Sequence, residues 1–400
     1  MTTPASPTTE LLLNPRFRAG RPYGAAERRV MSEDEAESAA ADIRRWPHYR
    51  PTPEIEVPDL AAAFAIARLT VKHEGQRFAV GSFKVLGPPY AALQLVTSEL
   101  QRRTGQAHID SAEIIAGRHA AEAGHITLMA ATSGNHGRAI AWAASRFGCN
   151  AAIYMRDGVS PGRAQAIAAL GATVVRVPGT FDDALERCMA DAERTGGFVV
   201  SDLPLPLYPD VPRHTLHGYS MLASELAQGW ERDGRIPTHL FVAAGIGSLA
   251  AAVVGRLRQL LGRRGPRVIV VEPLAAAGIL RSAEAGRLSP ADGDLATVMD
   301  GLATRTVSPF SWTILDRGAF AFLAIPDEPA LTALRHAARL DPPLVIGETG
   351  IAGLAGLLAI CRDRSLRDRL GLDGEASVAV IASEGATDRA LYEQLTGRKP

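Results

Sequence analysis

The sequence predicts an α/β protein built on two parallel sheets, and three observations predict it. Short apolar runs alternate with amphipathic segments through most of the 400 residues, the pattern of strands joined through helices that cover both sheet faces. A proline-rich stretch, Pro204-Leu205-Pro206-Leu207-Tyr208-Pro209-Asp210-Val211-Pro212, divides the runs into two sets. At two places an apolar run passes through a glycine-bearing turn straight into a helix start, after Ala131 and after Ala243.

Taken in order, residues 1–20 are rich in Thr, Pro and Ala and read as a flexible extension. Glu33 to Arg45 reads as a short helix, acidic at its start and basic at its end. The first set of strands is Ile126–Ala131, Ala151–Met155, Thr173–Val177 and Phe198–Ser201; the second is His239–Ala243, Val268–Val271, Ala321–Ile325 and Ser377–Ile381. Helical patterns fill the gaps at Gly137–Phe147, Pro161–Leu170, Asp182–Thr195, His217–Trp230, Ser248–Leu261, Glu328–Arg339 and Gly350–Arg362. The expected organisation is a large domain from 21–92 and 206–400, interrupted by a small domain over 93–205.

Composition narrows the function. Lys and Arg number 43, matched by 43 Asp and Glu, so no basic surplus points to nucleic acid, and the arginines at 28–29 and 263–267 read as solvated faces or loops. Apolar runs such as Ala243 to Val254 are too short and too interrupted to span a bilayer, and the N-terminus has no signal pattern. A cytoplasmic protein is expected. Cys149, Cys188 and Cys361 show no paired spacing, and the ten histidines form no metal motif, so no metal site is expected.

The chain holds only three lysines against forty arginines. Guanidinium stays protonated at any usable pH, so an amine that must act as a nucleophile has to be lysine. Lys399 lies at the C-terminus and Lys72 sits near Glu74, a carboxylate that can hold it charged. Lys84, in Gly81-Ser82-Phe83-Lys84-Val85-Leu86-Gly87, is the candidate for covalent chemistry.

The two turns supply the rest. In Ala243-Ala244-Gly245-Ile246-Gly247-Ser248-Leu249, glycines let the backbone approach an anion, and free helix amides aim partial positive charge at it. A phosphate suits that turn. So does a dinucleotide, because the spacing is Gly-x-Gly-x-x-Ala and Glu272 ends the next strand. In Thr132-Ser133-Gly134-Asn135-His136-Gly137, amides and hydroxyls form a concavity suited to a carboxylate, and Asn135 offers a neutral amide.

Together with Pro51-Thr52-Pro53, Val271-Glu272-Pro273, Ile346-Gly347-Glu348-Thr349-Gly350 and Ser383-Glu384-Gly385-Ala386-Thr387-Asp388, these motifs resemble the pyridoxal-phosphate enzymes of fold type II, the tryptophan synthase β group. Within that group the chain is most similar to the diaminopropionate ammonia-lyases, over roughly residues 48–395. The resemblance implies two α/β domains with the active site in the cleft between them, pyridoxal 5′-phosphate as cofactor, a small amino-acid substrate and a homodimer. It implies β-elimination of ammonia from 2,3-diaminopropionate, giving pyruvate and ammonia.

Residue by residue, the resemblance implies that Lys84, next to Phe83, carries the cofactor as a Schiff base and then acts as base at Cα. Asn135 would bond the pyridoxal 3′-oxygen, while Ala244, Gly245, Ile246, Gly247, Ser248 and Leu249 would hold the phosphate. Ser383 would face the pyridine nitrogen; a hydroxyl cannot keep that nitrogen protonated, which favours prompt expulsion of a β-leaving group. Thr132, Ser133, Gly134, Asn135 and His136 would grip the substrate carboxylate, and Asp202 matches an acid that would bond its β-amino group.

The departures bear on the substrate. The lyases usually carry aspartate, a second base, where this chain has Ser133, so the L-enantiomer is expected to be favoured. Their Lys-Asp-Glu-Ser stretch is here Lys72-His73-Glu74-Gly75. Ser133 makes the loop similar to that of serine and threonine dehydratases, and such a dehydratase or a β-replacement enzyme stands as the alternative. A nicotinamide-dependent oxidoreductase using the Gly245 turn, or a member that binds without turnover, are the readings from other classes.

Overall fold

The computed structural model describes residues 8–132 and 134–400. In chain order its strands are β1 (Glu10–Leu13), β2 (Glu54–Glu56), β3 (Arg68–His73), β4 (Thr127–Ala131), β5 (Asn150–Arg156), β6 (Thr173–Val177), β7 (Phe198–Val199), β8 (His239–Ala243), β9 (Arg267–Pro273), β10 (Ala321–Ile325) and β11 (Ser377–Ala382). The helices that matter below are α1 (Gly87–Thr104), α2 (Asn135–Phe147), α3 (Val211–Asp233), α4 (Ser248–Leu261), α5 (Gly278–Ala285) and α6 (Ala352–Arg362).

Two units form. The first comprises the chain up to Val30, Thr52–Gln76 and Ala223–Pro400, around a seven-stranded sheet of order β1-β10-β9-β8-β11-β3-β2. Strands β3, β8, β9, β10 and β11 are mutually parallel, and β1 and β2 close the edges antiparallel. Every residue of β8 and β10 is buried, the unbroken apolar run expected of strands covered on both faces. Residues of α6, including Leu354, Leu357 and Ile360, pack into the same core.

The order of this sheet locates a binding edge. From β8 the chain moves outward through β9 to β10, whereas β11 lies on the other side of β8. Connections therefore diverge between β8 and β11, and the carboxyl ends of such neighbours leave a crevice where ligands bind in open parallel sheets. The Gly245 turn follows β8 and Ser383 follows β11.

The second unit, Met31–Pro51 with Arg77–Leu222, surrounds a parallel four-stranded sheet of order β6-β5-β4-β7. Met129, Tyr154, Cys188 and Val199 form one core there. Trp46, Phe78 and Trp142 form an aromatic cluster with ring centroids 5.2–5.8 Å apart.

Three sequence expectations differ from this arrangement. The flexible extension over 1–20 contains β1, whose Leu11 pairs with Leu323 of β10; the three leucines after Glu10 found an unpaired sheet edge. Both β1 and β2 depart from all-parallel sheets, because an edge strand can pair in either direction. The boundaries expected at 92/93 and 205/206 fall instead at 76/77 and 222/223, with Met31–Pro51 also in the smaller unit. Lys84 goes with that unit because its turn and α1 pack on α2.

Candidate active site

In the smaller unit, Ser82 in extended conformation leads into a single 3-10 turn, Phe83–Val85, and α1 starts two residues later. This turn presents the Lys84 amine. Its Nζ lies 2.6 Å from Asp202 Oδ2 and 5.5 and 5.8 Å from the ring centroids of Phe83 and Tyr219. The glycine of the Leu86-Gly87 pair serves packing: a Cβ at Gly87 would come within 2.5–2.7 Å of Tyr219 ring carbons, and one at Gly218 within 2.3 Å of Leu86 O. Both glycines let α3 lie against the lysine turn.

Asp202 is the hub. His136 sets its Nδ1 3.4 Å from Asp202 Oδ2, and its Nε2 lies 2.8 Å from Val200 O. A carbonyl only accepts, so Nε2 carries a proton and donates it. Burial alone would raise the Asp202 pKa, but Lys84 and then His136 outweigh it, and the carboxyl is held far below its usual range. Asp202 is therefore an anion between two nitrogen bases. Tyr219 is fully buried, and burial, then the Asp202 charge, raises its hydroxyl well above the ordinary phenol value, so it stays neutral.

The Thr132–His136 loop joins β4 to α2 in the same unit. Thr132 Oγ1 accepts the Gly134 amide at 3.1 Å, and α2 begins at Asn135, where the helix dipole favours an anion. Gly137 is a packing glycine, since a Cβ there would meet Thr132 Cγ2 at 2.5 Å and Ile153 Cγ2 at 2.8 Å. Ser133, expected to act in catalysis and carboxylate binding, lies outside the described residues.

The larger unit carries the second group. Gly247 has φ +97°, a conformation L side chains rarely adopt, and a Cβ there would lie 3.0 Å from Ser311 Cβ. The turn Ala244–Gly247 is pinned by Ala244 N to Val271 O at 2.8 Å and by Ser308 N to Ile246 O at 3.0 Å. Helix α4 then starts at Ser248 without a side-chain cap. Ser383 is buried at the end of β11. The loop it opens is held by the Ile346–Gly350 motif: Glu384 Oε1 accepts Thr349 N at 3.1 Å, and a Cβ at Gly347 or Gly350 would strike Gly385 O at 2.4 Å or Glu384 O at 2.6 Å.

Two residues leave the list of candidates. Lys72 is buried and donates to Glu225 Oε2 at 2.6 Å and Thr52 O at 2.7 Å, so its amine is committed to an ion pair. Glu272, the acid of a dinucleotide fingerprint, is fully buried and accepts the amides of Ile279 and Leu280 at 2.8 Å each, capping α5. Burial raises its pKa to about 8 against those two bonds. It is closed to a ribose hydroxyl, which removes the support for a nicotinamide enzyme.

The sequence did not single out Tyr219 or Ser82, and it gave His136 no link to Asp202. Motif reading could have found Tyr219 only through the glycine before it. Ser82 Oγ, Asp202 Oδ1 and Tyr219 Oη are buried and have no hydrogen-bond partner among the described residues. They are polar groups shaped to meet a polar ligand.

Comparison with known proteins decides which. A family model described as pyridoxal-phosphate dependent enzyme matches residues 45–384. This chain belongs to the pyridoxal-phosphate-dependent enzymes. It is 34% identical over 374 residues to diaminopropionate ammonia-lyase of Escherichia coli (strain K12), covering 92% of each chain. The crystal structure of the Escherichia coli lyase with D-serine is similar at a TM-score of 0.86 and 31% identity, over 97% of both chains. Its complex with an aminoacrylate-PLP azomethine reaction intermediate gives 0.84 and 32%, over 98% of this chain and 97% of that one.

Pyridoxal 5′-phosphate is thus the cofactor, and the residues fit it. A lysine amine stands beside an anion, and a glycine turn that a Cβ would crowd opens a helix. A neutral hydroxyl, Ser383, closes β11.

Proposed function

We propose that this pyridoxal-phosphate-dependent enzyme is a carbon–nitrogen lyase that removes ammonia from 2,3-diaminopropionate, with the L form favoured, to give pyruvate and ammonia. The observation that carries the reading is the Lys84–Asp202 pair at 2.6 Å in a chain that matches the lyases along nine-tenths of its length.

Each residue has a definite task. Lys84 would hold the cofactor covalently and afterwards take the proton from the substrate Cα. The Gly245–Leu249 amides would hold the phosphate, Asn135 the ring oxygen, and Ser383 would face the ring nitrogen as a neutral group. Bound, the cofactor supplies the electron sink for breaking the Cα–H bond. The loop of Thr132, Ser133, Gly134, Asn135 and His136 would receive the substrate carboxylate.

Asp202 explains the leaving group. An anion held beside Lys84 and His136 keeps a substrate β-amine protonated. When the Cβ–N bond breaks, its electron pair returns to a nitrogen that already has three protons, and neutral ammonia departs. The released enamine takes up water to give pyruvate and a second ammonia. A hydroxyl leaving group would need an acid instead, and Asp202 is ionised.

Cytoplasmic placement and a homodimer belong to this reading. Supporting the first, Cys149, Cys188 and Cys361 are free thiols; no helix among the described residues is long and apolar enough to cross a membrane.

The test is release of 2-oxo acid by the cofactor-loaded protein from L- and D-2,3-diaminopropionate, L-serine and L-threonine. The reading expects the highest kcat/KM with L-2,3-diaminopropionate; a higher value with serine or threonine would make the protein a dehydratase.

A further inference from the structure

The arginines at 263–267, read from sequence as a solvated loop, line a cavity of about 630 Å³ in the larger unit, together with Arg18, Arg21 and Arg258. Only two carboxylates, Asp373 and Glu375, share the lining. Across the whole protein the charges cancel, so six guanidinium groups around one hollow are a local concentration of positive charge.

Two of the six are ion-paired. Arg21 pairs with Glu27, and Arg264 with Glu231 at 2.7 Å. Among the described residues, Arg18, Arg258, Arg263 and Arg267 have no carboxylate partner. Arg18 donates to its own neighbours, Pro15 O and Phe17 O, and Arg267 at 3.4 Å to Leu370 O. Arg258 is the most constrained: it reaches the carbonyls of Arg317 and Arg21, and burial, followed by the Arg21 charge, lowers its pKa against the opposing charge of Glu27. Arg21 and Arg258 are half-buried and the other four arginines are exposed; like charges around one hollow repel, and an anion among them relieves that repulsion.

The end of α4 explains part of this charge, because its last carbonyls favour a cation and Arg258 lies in that last turn. Arg18 on the N-terminal segment and Arg267 at the start of β9 fall outside that account. The place in the fold is also distinct. Thr238 and Pro266 line the cavity just ahead of β8 and β9, whereas the Gly245 turn and Ser383 follow the carboxyl ends of their strands. Helix α4 connects the two ends: it leaves the Gly247 turn and arrives at the cavity 14 residues later, about 21 Å away at the usual helical rise.

The geometry points to a second binding site here, for a phosphorylated small organic anion. Guanidinium groups meet phosphate oxygens in bidentate pairs, which an ammonium cannot do. Phe17, Val254, Leu257 and Val268 supply apolar wall for an organic part, and the volume falls in the range of about 300–1,000 Å³ typical of small-molecule sites.

Calorimetric titration of the full-length, cofactor-loaded protein with ATP at low ionic strength tests this, with pyrophosphate and inorganic phosphate as parallel titrants. Saturable binding of one ATP per chain is expected, tighter than pyrophosphate, with phosphate weakest and the pyridoxal absorbance unchanged. Arg263→Glu and Arg18→Glu, both at exposed positions, should each weaken ATP by about tenfold or more, the equivalent of roughly 1.4 kcal/mol. Arg263→Gln, which removes charge without reversing it, should weaken it less. No saturable heat, binding insensitive to all three variants, or loss of the pyridoxal absorbance as ATP binds would overturn the site. Pyrophosphate binding as tight as ATP would overturn its organic half.

Discussion

Lys84 and Asp202, 118 residues apart in the chain, meet at 2.6 Å. The lysine comes from a turn before α1 and the aspartate from the segment after β7, so the smaller unit's fold makes the pair. Against the cost of burial, Lys84 holds the Asp202 carboxyl far below its usual range, and the second oxygen, buried and without a hydrogen-bond partner among the described residues, is left to receive another cation.

Borohydride reduction of the cofactor-loaded protein, followed by peptide mapping, should label Lys84 alone. Lys72 serves as the control. Lys72→Met strips a cation from the buried Glu225 and should cost on the order of 3 kcal/mol in urea unfolding, with the Lys84 label retained. A label on Lys72 in the unmodified protein would refute the assignment.

Asp202→Asn keeps the shape and deletes the charge. The visible cofactor band should survive while kcat with L-2,3-diaminopropionate falls about 10²- to 10⁴-fold, the span expected when a group that manages a proton is lost. An unchanged kcat would show that Asp202 does not hold the leaving amine.

At Gly247 the backbone at φ +97° already excludes ordinary side chains. Gly247→Asp adds strain and a negative charge against the phosphate turn, so pyridoxal-phosphate affinity, measured by absorbance titration, should drop by about tenfold or more. Undiminished affinity would move the phosphate elsewhere.

His239, at the start of β8, should set an acid limit to stability. Burial is the main cause that lowers its pKa from 6.5 to about 4. The unfolded chain therefore binds a proton that the folded one refuses. Stability from this group is whole above pH 6.5 and is lost progressively as pH falls toward 4, on the order of 3 kcal/mol in all. Urea melts across that window should show the slope, and His239→Leu should flatten it.

Ser133 bears on stereochemistry. Attack from the second face of the substrate needs a second base, and an unassisted serine hydroxyl is too weak. Little turnover of the D-enantiomer is expected, and Ser133→Asp should raise it. Equal turnover of both enantiomers by the unmodified protein would mean another residue supplies that base.

What the sequence determined was local. Of the eight strand segments from Ile126 to Ile381, those such as β8 and β10 were legible because strands buried on both faces are apolar end to end, whereas β6, with Thr173 and Arg176 exposed, was legible from its valines. Lys84 stood out by the scarcity of lysine, and the Gly245 turn by a backbone that only glycine allows. Tertiary structure decided the rest. Edge strands β1 and β2 are short and carry no periodicity of their own, so they exist only because a neighbouring edge offers unpaired amides and carbonyls. Glu272 could have bound a ribose until burial turned it into the cap of α5. The link of Asp202 to His136 and Lys84, like the gathering of Arg18 with Arg258 and Arg267, joins residues too distant in sequence for periodicity or motif spacing to connect. Charge and hydrogen bonding act through space, and only the fold sets those distances.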